Sequence, residues 1–246
     1  MLNFQVKGEG KPIVFLHGFL ESLSMWSYLH LEKIPGKCIL IDLPGHGQSD
    51  LMDPSEEPNL EFMVDEVLEV LSYLSVDSYN LVGHSMGGYI GLILKAKDKR
   101  CEKLVLVNSN FWSDSEQKKK DRIRIADLVF KAKQLFIHEA IPNLFGKPEY
   151  FELEIQELKK EAMKMLPESI AYASLAMRNR KDFSKEIQLH PYNYFFIHGK
   201  LDRLIETDYL KSKIDLDTNF FLIENAGHMA HIEQPQKVVE ILELIF

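Results

Sequence analysis

Four short apolar runs recur along the first half of the chain: Ile13-Val14-Phe15-Leu16, Cys38-Ile39-Leu40-Ile41, Tyr79-Asn80-Leu81-Val82 and Leu104-Val105-Leu106-Val107. Each is rich in β-branched or large apolar residues at successive positions, so a strand built from it hides both faces. Parallel strands covered by helices have this pattern. Between the second and third runs, Leu60, Met63, Val64, Val67, Leu68, Leu71 and Leu74 follow helical spacing, with Glu61, Asp65, Glu66 and Glu69 on the other face. Such a helix lies on a sheet with one side in water. Strands alternating with helices predict an α/β domain, its mostly parallel central sheet flanked by helices.

The pattern changes after Asn110. From Ser113 to about Pro191 the signal is helical and charged, with stripes at Ile125, Leu128, Val129, Ala132 and at Ile155, Leu158, Ala162, Met165. Pro142, Pro148 and Pro167 divide this segment into short helices. Lys118-Lys119-Lys120 has acidic residues close on either side and reads as a solvated helix start. Strand character returns at Tyr194–Ile197 and Asn219–Ile223, and a last helix carries Val238, Ile241, Leu242 and Ile245 on one face. The expected division is a core of residues 1–110 and 191–246, interrupted by a helical insertion at 111–190.

Composition narrows the function. The 246 residues, 46% hydrophobic and 27% charged, suit one globular domain with a sizeable insertion. A net charge of −8 repels a phosphate backbone, which argues against nucleic acid as the main partner. Cys38 and Cys101 have no metal-binding or redox spacing and read as buried free thiols. The opening residues lack the basic and apolar regions of a signal peptide. The most apolar stretch, Tyr89–Leu94, is far short of the roughly 20 residues that span a bilayer. The expectation is a cytoplasmic protein with no membrane span. Nothing in the sequence speaks to oligomeric state.

The chemistry centres on Gly83-His84-Ser85-Met86-Gly87, a G-x-S-x-G pentapeptide between a predicted strand and an apolar helix. In that context a strand turns sharply into a helix and holds the serine hydroxyl at the tip, glycines either side relieving the clash. A serine hydroxyl needs a base, and the base needs an orienting carboxylate. His228, in the loop Asn225–His231 after the last predicted strand, is the expected base; His231, at the helix entrance, is better placed for structural work. His30, His138 and His190 fall in helical or linker regions and read as surface residues. Asp202, shortly after the strand Tyr194–Ile197, is the expected acid, with a turn aspartate as its plainer reading. Ser85, Asp202 and His228 all follow strands at their carboxyl ends, which share one edge of a parallel sheet. His17-Gly18-Phe19 follows the first run, so the Phe19 and Met86 backbone N–H groups are the expected oxyanion donors.

His17-Gly18-Phe19, Asp42-Leu43-Pro44-Gly45-His46-Gly47-Gln48-Ser49, Gly83-His84-Ser85-Met86-Gly87-Gly88, the His198–Asp202 stretch and Gly227-His228 occur in the order of the α/β-hydrolase superfamily. The chain resembles that superfamily over nearly its whole length outside the insertion. The resemblance implies a triad in the order Ser, Asp, His, an insertion that forms a cap over the site, and a structural role for Asp42 and His46. Some members place the acid after the preceding strand, where this chain has Asn108-Ser109-Asn110 and no carboxylate before Asp114. Similar haloalkane dehalogenases and epoxide hydrolases carry aspartate at the elbow, which disfavours both activities here.

The reading is therefore a serine hydrolase of the carboxylesterase type, acting on a small-molecule acyl substrate through an acyl-enzyme, with no metal and no organic cofactor. Phe111, Trp112, Phe130, Phe136 and Met177 are candidates for an acyl pocket, and Arg178 and Arg180 for pairing with a substrate carboxylate. Trp112, Met177 and Arg178 are taken forward as candidate substrate-binding residues. Two alternatives stay open. One is a lyase like the similar menaquinone-pathway synthases, which eliminate pyruvate by proton abstraction; that branch usually has arginine where this chain has Tyr89. The other is a ligand-binding protein that keeps the fold without turnover, a role for which an intact Ser85, Asp202 and His228 would be unnecessary.

Overall fold

Alternate residues of a strand point to opposite faces of its sheet, and here both sets are buried. The computed structural model describes residues 1–52, 54, 57–214 and 219–246. Strand β1 (Phe4–Lys7) is followed by β2 (Pro12–Leu16), β3 (Lys37–Ile41), helix α1 (Leu60–Tyr73), β4 (Tyr79–His84), α2 (Met86–Lys97) and β5 (Cys101–Val107). Four helices come next: α3 (Glu116–Ala140), α4 (Glu152–Lys164), α5 (Pro167–Arg178) and α6 (Ser184–Leu189). The chain returns through β6 (Tyr194–Gly199), α7 (Thr207–Lys211), β7 (Phe220–Ile223), α8 (Ala230–Glu233) and α9 (Pro235–Ile245).

The strands form one seven-stranded sheet in the order β1-β3-β2-β4-β5-β6-β7. All pairings are parallel except β1 against β3. Val14, Leu16, Ile39, Ile41, Leu81, Leu104 and Leu106 pack on one face with the buried sides of α1 and α2. Ile13, Phe15, Leu40, Val82, Val105 and Val107 pack on the other with Trp26 and α9. This two-sided burial is what the unbroken apolar runs anticipate.

Register brings the strand ends to one edge: Leu16 lies opposite Gly83, His84 opposite Val107, and Val107 opposite Ile197. Loops leaving β2, β4, β5, β6 and β7 therefore converge there. Strand β1 was not foreseen: Phe4-Gln5-Val6-Lys7 alternates apolar and polar residues over only four positions, and it is mostly exposed, with Val6 at 44%. Helices α3–α6 lie between β5 and β6 in chain order, with Pro167 opening α5 and Pro142 and Pro148 opening single turns. The stripe expected through Ala132 is interrupted, because Ala132 has φ −148° and ψ 43° and kinks α3. Among the described residues no helix is long and apolar enough to cross a membrane.

Candidate active site

Ser85 stands between β4 and α2 with φ +48° and ψ −112°, a conformation an L-residue adopts only under constraint. The constraint comes from close backbone packing. A Cβ on Gly83 would lie 2.5 Å from the Gly87 carbonyl oxygen, and one on Gly87 would lie 2.2 Å from that of Leu16. Only glycine lets the strand, the turn and the helix approach this closely. The Ser85 N–H donates to the Val107 carbonyl (3.0 Å), and Ser109 Oγ donates to the Ser85 carbonyl (2.8 Å). The hydroxyl-bearing residue is thus pinned to the end of β5.

His228 Nε2 lies 2.9 Å from Ser85 Oγ, and His228 Nδ1 lies 2.8 Å from Asp202 Oδ2. A carboxylate at Nδ1 fixes the proton there and leaves Nε2 to accept from the serine hydroxyl. His228 is 3% exposed and Asp202 7%, so the contact between them is shielded from water, while Ser85 is half-buried at the cavity. Asp202 Oδ1 accepts the N–H groups of Leu204 (2.8 Å) and Ile205 (3.1 Å). Asn108 Nδ2 donates to Asp202 Oδ2 and to the Gly227 carbonyl, both at 3.0 Å. Burial opposes the Asp202 charge, yet His228, His198 and Asn108 together hold its carboxyl well below the ordinary aspartate value. Asp202 is therefore ionised at neutral pH. Asn108 stands where some similar hydrolases keep their acid, and it braces Asp202 instead.

Among the described residues, no protein acceptor takes the N–H of Phe19 or of Met86. Phe19 and Ser85 both line a cavity of about 380 Å³, within the range of small-molecule sites. Its lining includes Phe19, Tyr89 and His228 together with Arg122, Ile125 and Phe136 of α3. The His228 N–H donates to the Leu144 carbonyl at 2.8 Å, which ties the histidine loop to the inserted segment.

Of the pocket residues expected from sequence, Met177 and Phe136 line this cavity, whereas Trp112 and Arg178 are not among its lining residues. Trp112 packs edge-on against Tyr209 and Phe111, and Arg178 bonds its neighbour Asn179. Phe111 is buried in the core, and Phe130 is 58% exposed. Arg180 is buried over the Tyr89 ring, with Asp114 and Asn110 as partners. Lys118, expected to be only solvated, contributes to the cavity wall, as does Arg122. No signal in the sequence separated these two cations from the other charged residues of α3.

Asp42 and several of the remaining histidines have structural partners or surface positions, whereas His231 is buried with no hydrogen-bond partner for either ring nitrogen among the described residues. His17 Nε2 accepts the Leu43 N–H and its Nδ1 donates to the Gly18 carbonyl, so this ring is neutral and serves the turn. Asp42 accepts the N–H groups of Leu23 and Gln48. Burial pushes His46 down to about 3. His30, His138 and His190 are exposed. Among the described residues no group of His, Cys, Asp and Glu could hold a metal ion.

A family model described as alpha/beta hydrolase fold matches residues 11–235. The chain is 28% identical to the AB hydrolase superfamily protein YisY of Bacillus subtilis, over 96% of this chain and 91% of that one. It is 26% identical to a 2-succinyl-6-hydroxy-2,4-cyclohexadiene-1-carboxylate synthase of an Enterobacter species, over 96% and 93%. Among solved structures, a thermophilic esterase from Thermogutta terrifontis with malate bound superposes with a TM-score of 0.89 at 26% identity, covering 99% of this chain and 92% of that one.

Proposed function

The chain belongs to the alpha/beta hydrolase fold family, and on that premise we propose that it is a serine hydrolase cleaving a small carboxylic ester through an acyl-enzyme on Ser85. The observation that carries this reading is the unbroken line from Ser85 Oγ through His228 to Asp202, at 2.9 and 2.8 Å. In the first half-reaction His228 Nε2 takes the Ser85 proton as Oγ attacks the carbonyl carbon, and the proton then passes to the leaving alkoxide. In the second, His228 removes a proton from water as it attacks the acyl-enzyme, then returns that proton to Ser85 Oγ as the acyl–oxygen bond breaks and the acid leaves. Asp202 keeps the imidazole oriented and stabilises its cationic form. The Phe19 and Met86 N–H groups serve the oxyanion. Residues 111–190 act as a cap over the core of 1–110 and 191–246, a reading supported by a cavity that takes lining residues from both.

Electrostatics favours a substrate that carries its own negative charge. Arg122 and Arg180 share one carboxylate, Asp114, and the cavity-lining Glu21 is paired with His84, which leaves a positive charge in excess beside the cavity. Lys118 adds another, offset by Asp121 on the same wall. The similar proteins include an esterase with malate bound and a synthase whose product is a carboxylate. The synthase likeness keeps a second reading in play, with the same triad abstracting a proton. Turnover of a panel decides between them: p-nitrophenyl esters of increasing acyl length, neutral and ω-carboxylated, beside thioesters, lactones and a pyruvate-eliminating substrate. The expected result is ester hydrolysis that disappears in Ser85→Ala and prefers the ω-carboxylated acyl group. Release of pyruvate with no ester cleavage would favour the synthase reading, and turnover untouched by Ser85→Ala would refute both.

A further inference from the structure

Beside the Ser85, His228 and Asp202 line lies a second charged couple that the hydrolytic scheme does not use. Glu21 is 4% exposed and His84 is fully buried. Glu21 Oε2 accepts the Gly18 N–H at 2.6 Å and lies 3.0 Å from His84 Nδ1. On the far side of the ring, His84 Nε2 lies 2.9 Å from the His228 carbonyl oxygen. An imidazole held between two acceptors must donate from both nitrogens, and only the imidazolium carries two N–H groups. The geometry itself therefore calls for a buried Glu21 carboxylate against a protonated His84.

Three loops meet at this couple. Glu21 grips the loop after β2, which carries the Phe19 N–H, and a Cβ on Gly18 would fall 2.7 Å from its carboxylate. That loop also holds Leu20 at φ +67°, a strained conformation that persists only where its surroundings dictate it. His84 is the last residue of β4, immediately before Ser85. Its second hydrogen bond reaches the backbone of His228 itself. We infer that Glu21 and His84 form a buried ion pair that positions the Phe19 oxyanion donor and the His228 imidazole together; the inference rests on the hydrolase reading above. Both are positioning residues: Glu21 reaches the cavity lining, but its Oε2 is taken up by the Gly18 N–H and by His84.

The groups facing His84 are Glu21, His17, Asp202 and the rings of His228 and His231, whose centroids lie 5.1 and 4.6 Å from its own. Burial opposes the His84 charge, but Glu21 and the His228 carbonyl hold it above the ordinary histidine value. Burial and the neighbouring His84 and His228 push His231 well below that value, so His231 stays neutral. With its value raised, His84 gives up its proton at a higher pH than an ordinary histidine, and loses it as pH rises through that raised value. Deprotonation removes one of the two hydrogen bonds and releases either the oxyanion loop or the His228 carbonyl.

The test compares wild type, Glu21→Gln and Glu21→Asp by pH-resolved steady-state kinetics on an ester, and by the rate of fluorophosphonate capture at Ser85. Nitrogen-15 NMR of the histidine rings reads the His84 protonation state. Wild type should show two His84 N–H signals at pH 7, and Glu21→Gln should show one. Glu21→Gln should lower kcat roughly 10- to 100-fold, less than the 10²–10³-fold loss of an oxyanion donor outright. The KM should stay within about 3-fold, since the positioned groups act in the transition state. Its alkaline limb should move to lower pH, and Glu21→Asp, which keeps the charge, should recover part of the rate. A singly protonated His84 in wild type overturns the ion pair, whether or not the variants fold. A Glu21→Gln enzyme with wild-type kcat and pH profile, or one losing activity only in step with its melting temperature, overturns the positioning role. If no ester is turned over, the hydrolase reading fails by itself, and capture rates with the NMR still decide the pair.

Discussion

Asp202→Asn isolates the contribution of one carboxylate without changing its shape. In the protein Asp202 Oδ2 receives two donors, His228 Nδ1 at 2.8 Å and Asn108 Nδ2 at 3.0 Å, while Oδ1 receives the Leu204 and Ile205 N–H groups. Asparagine has one oxygen and one NH2 for these two positions. If the oxygen stays with the Leu204 and Ile205 amides, the NH2 faces His228 and Asn108. The imidazole then moves its proton to Nε2 and has no lone pair for the Ser85 hydroxyl. If the amide turns over, its NH2 meets two backbone N–H groups instead. Either way the neutral side chain no longer stabilises the imidazolium. The expected loss in kcat is roughly 10²–10⁴-fold, or about 3–5.5 kcal/mol of barrier, with the serine-protease value at the upper end. Steady-state kinetics at saturating ester should show it with little change in KM. Asp114→Asn is the comparison, since Asp114 is occupied by Arg122 and Arg180. Near-wild-type turnover in Asp202→Asn together with a large loss in Asp114→Asn would refute the assignment.

Three further outcomes follow from the same geometry. Asn108→Gly preserves the positive φ of 44° at that position but removes the amide that braces Asp202 and Gly227. Its kcat should fall roughly 10- to 100-fold, in line with ~1.5–3 kcal/mol for a hydrogen bond to a charged group. Gly87→Ala drives a Cβ against the Leu16 and His17 carbonyl oxygens at 2.2 and 2.7 Å. It should cost about 1–3 kcal/mol of stability or more, seen as a lower midpoint in urea denaturation. Limited trypsin digestion should first nick the exposed stretch at Lys181 between α5 and α6, on the return from the proposed cap, before any site within β2–β5; first cleavage inside those strands would contradict the proposed division.

Much of this site was legible because its parts are local. Ser85 is announced by glycines two residues to either side, and Asp202 and His228 by the strands they follow, so short-range pattern and a parallel sheet are enough to bring them to one edge. The unread parts depend on contacts between distant residues. Glu21 and His84 are 63 positions apart and meet only once the sheet has formed. Asn108 looks like a missing acid in sequence and acts as a brace in space. Lys118 differs from Lys119 only in direction: one lines the cavity, while the other pairs with Glu116. Trp112 and Arg178 were expected at the pocket on residue type alone, and packing with Tyr209 and a local bond to Asn179 direct them elsewhere. Edge strand β1 escaped notice because the alternation of Phe4-Gln5-Val6-Lys7 runs for only four residues.

The central claim is that Ser85 is a nucleophile activated by His228, and mass spectrometry of the protein after reaction with a fluorophosphonate tests it most directly. The account predicts a single adduct, mapped to the peptide containing Ser85, with ester hydrolysis lost in proportion to labelling. Ser85→Ala should take up no label, and His228→Ala should label far more slowly. A stable adduct on another residue, or an alanine variant at position 85 that still hydrolyses ester, would contradict the account.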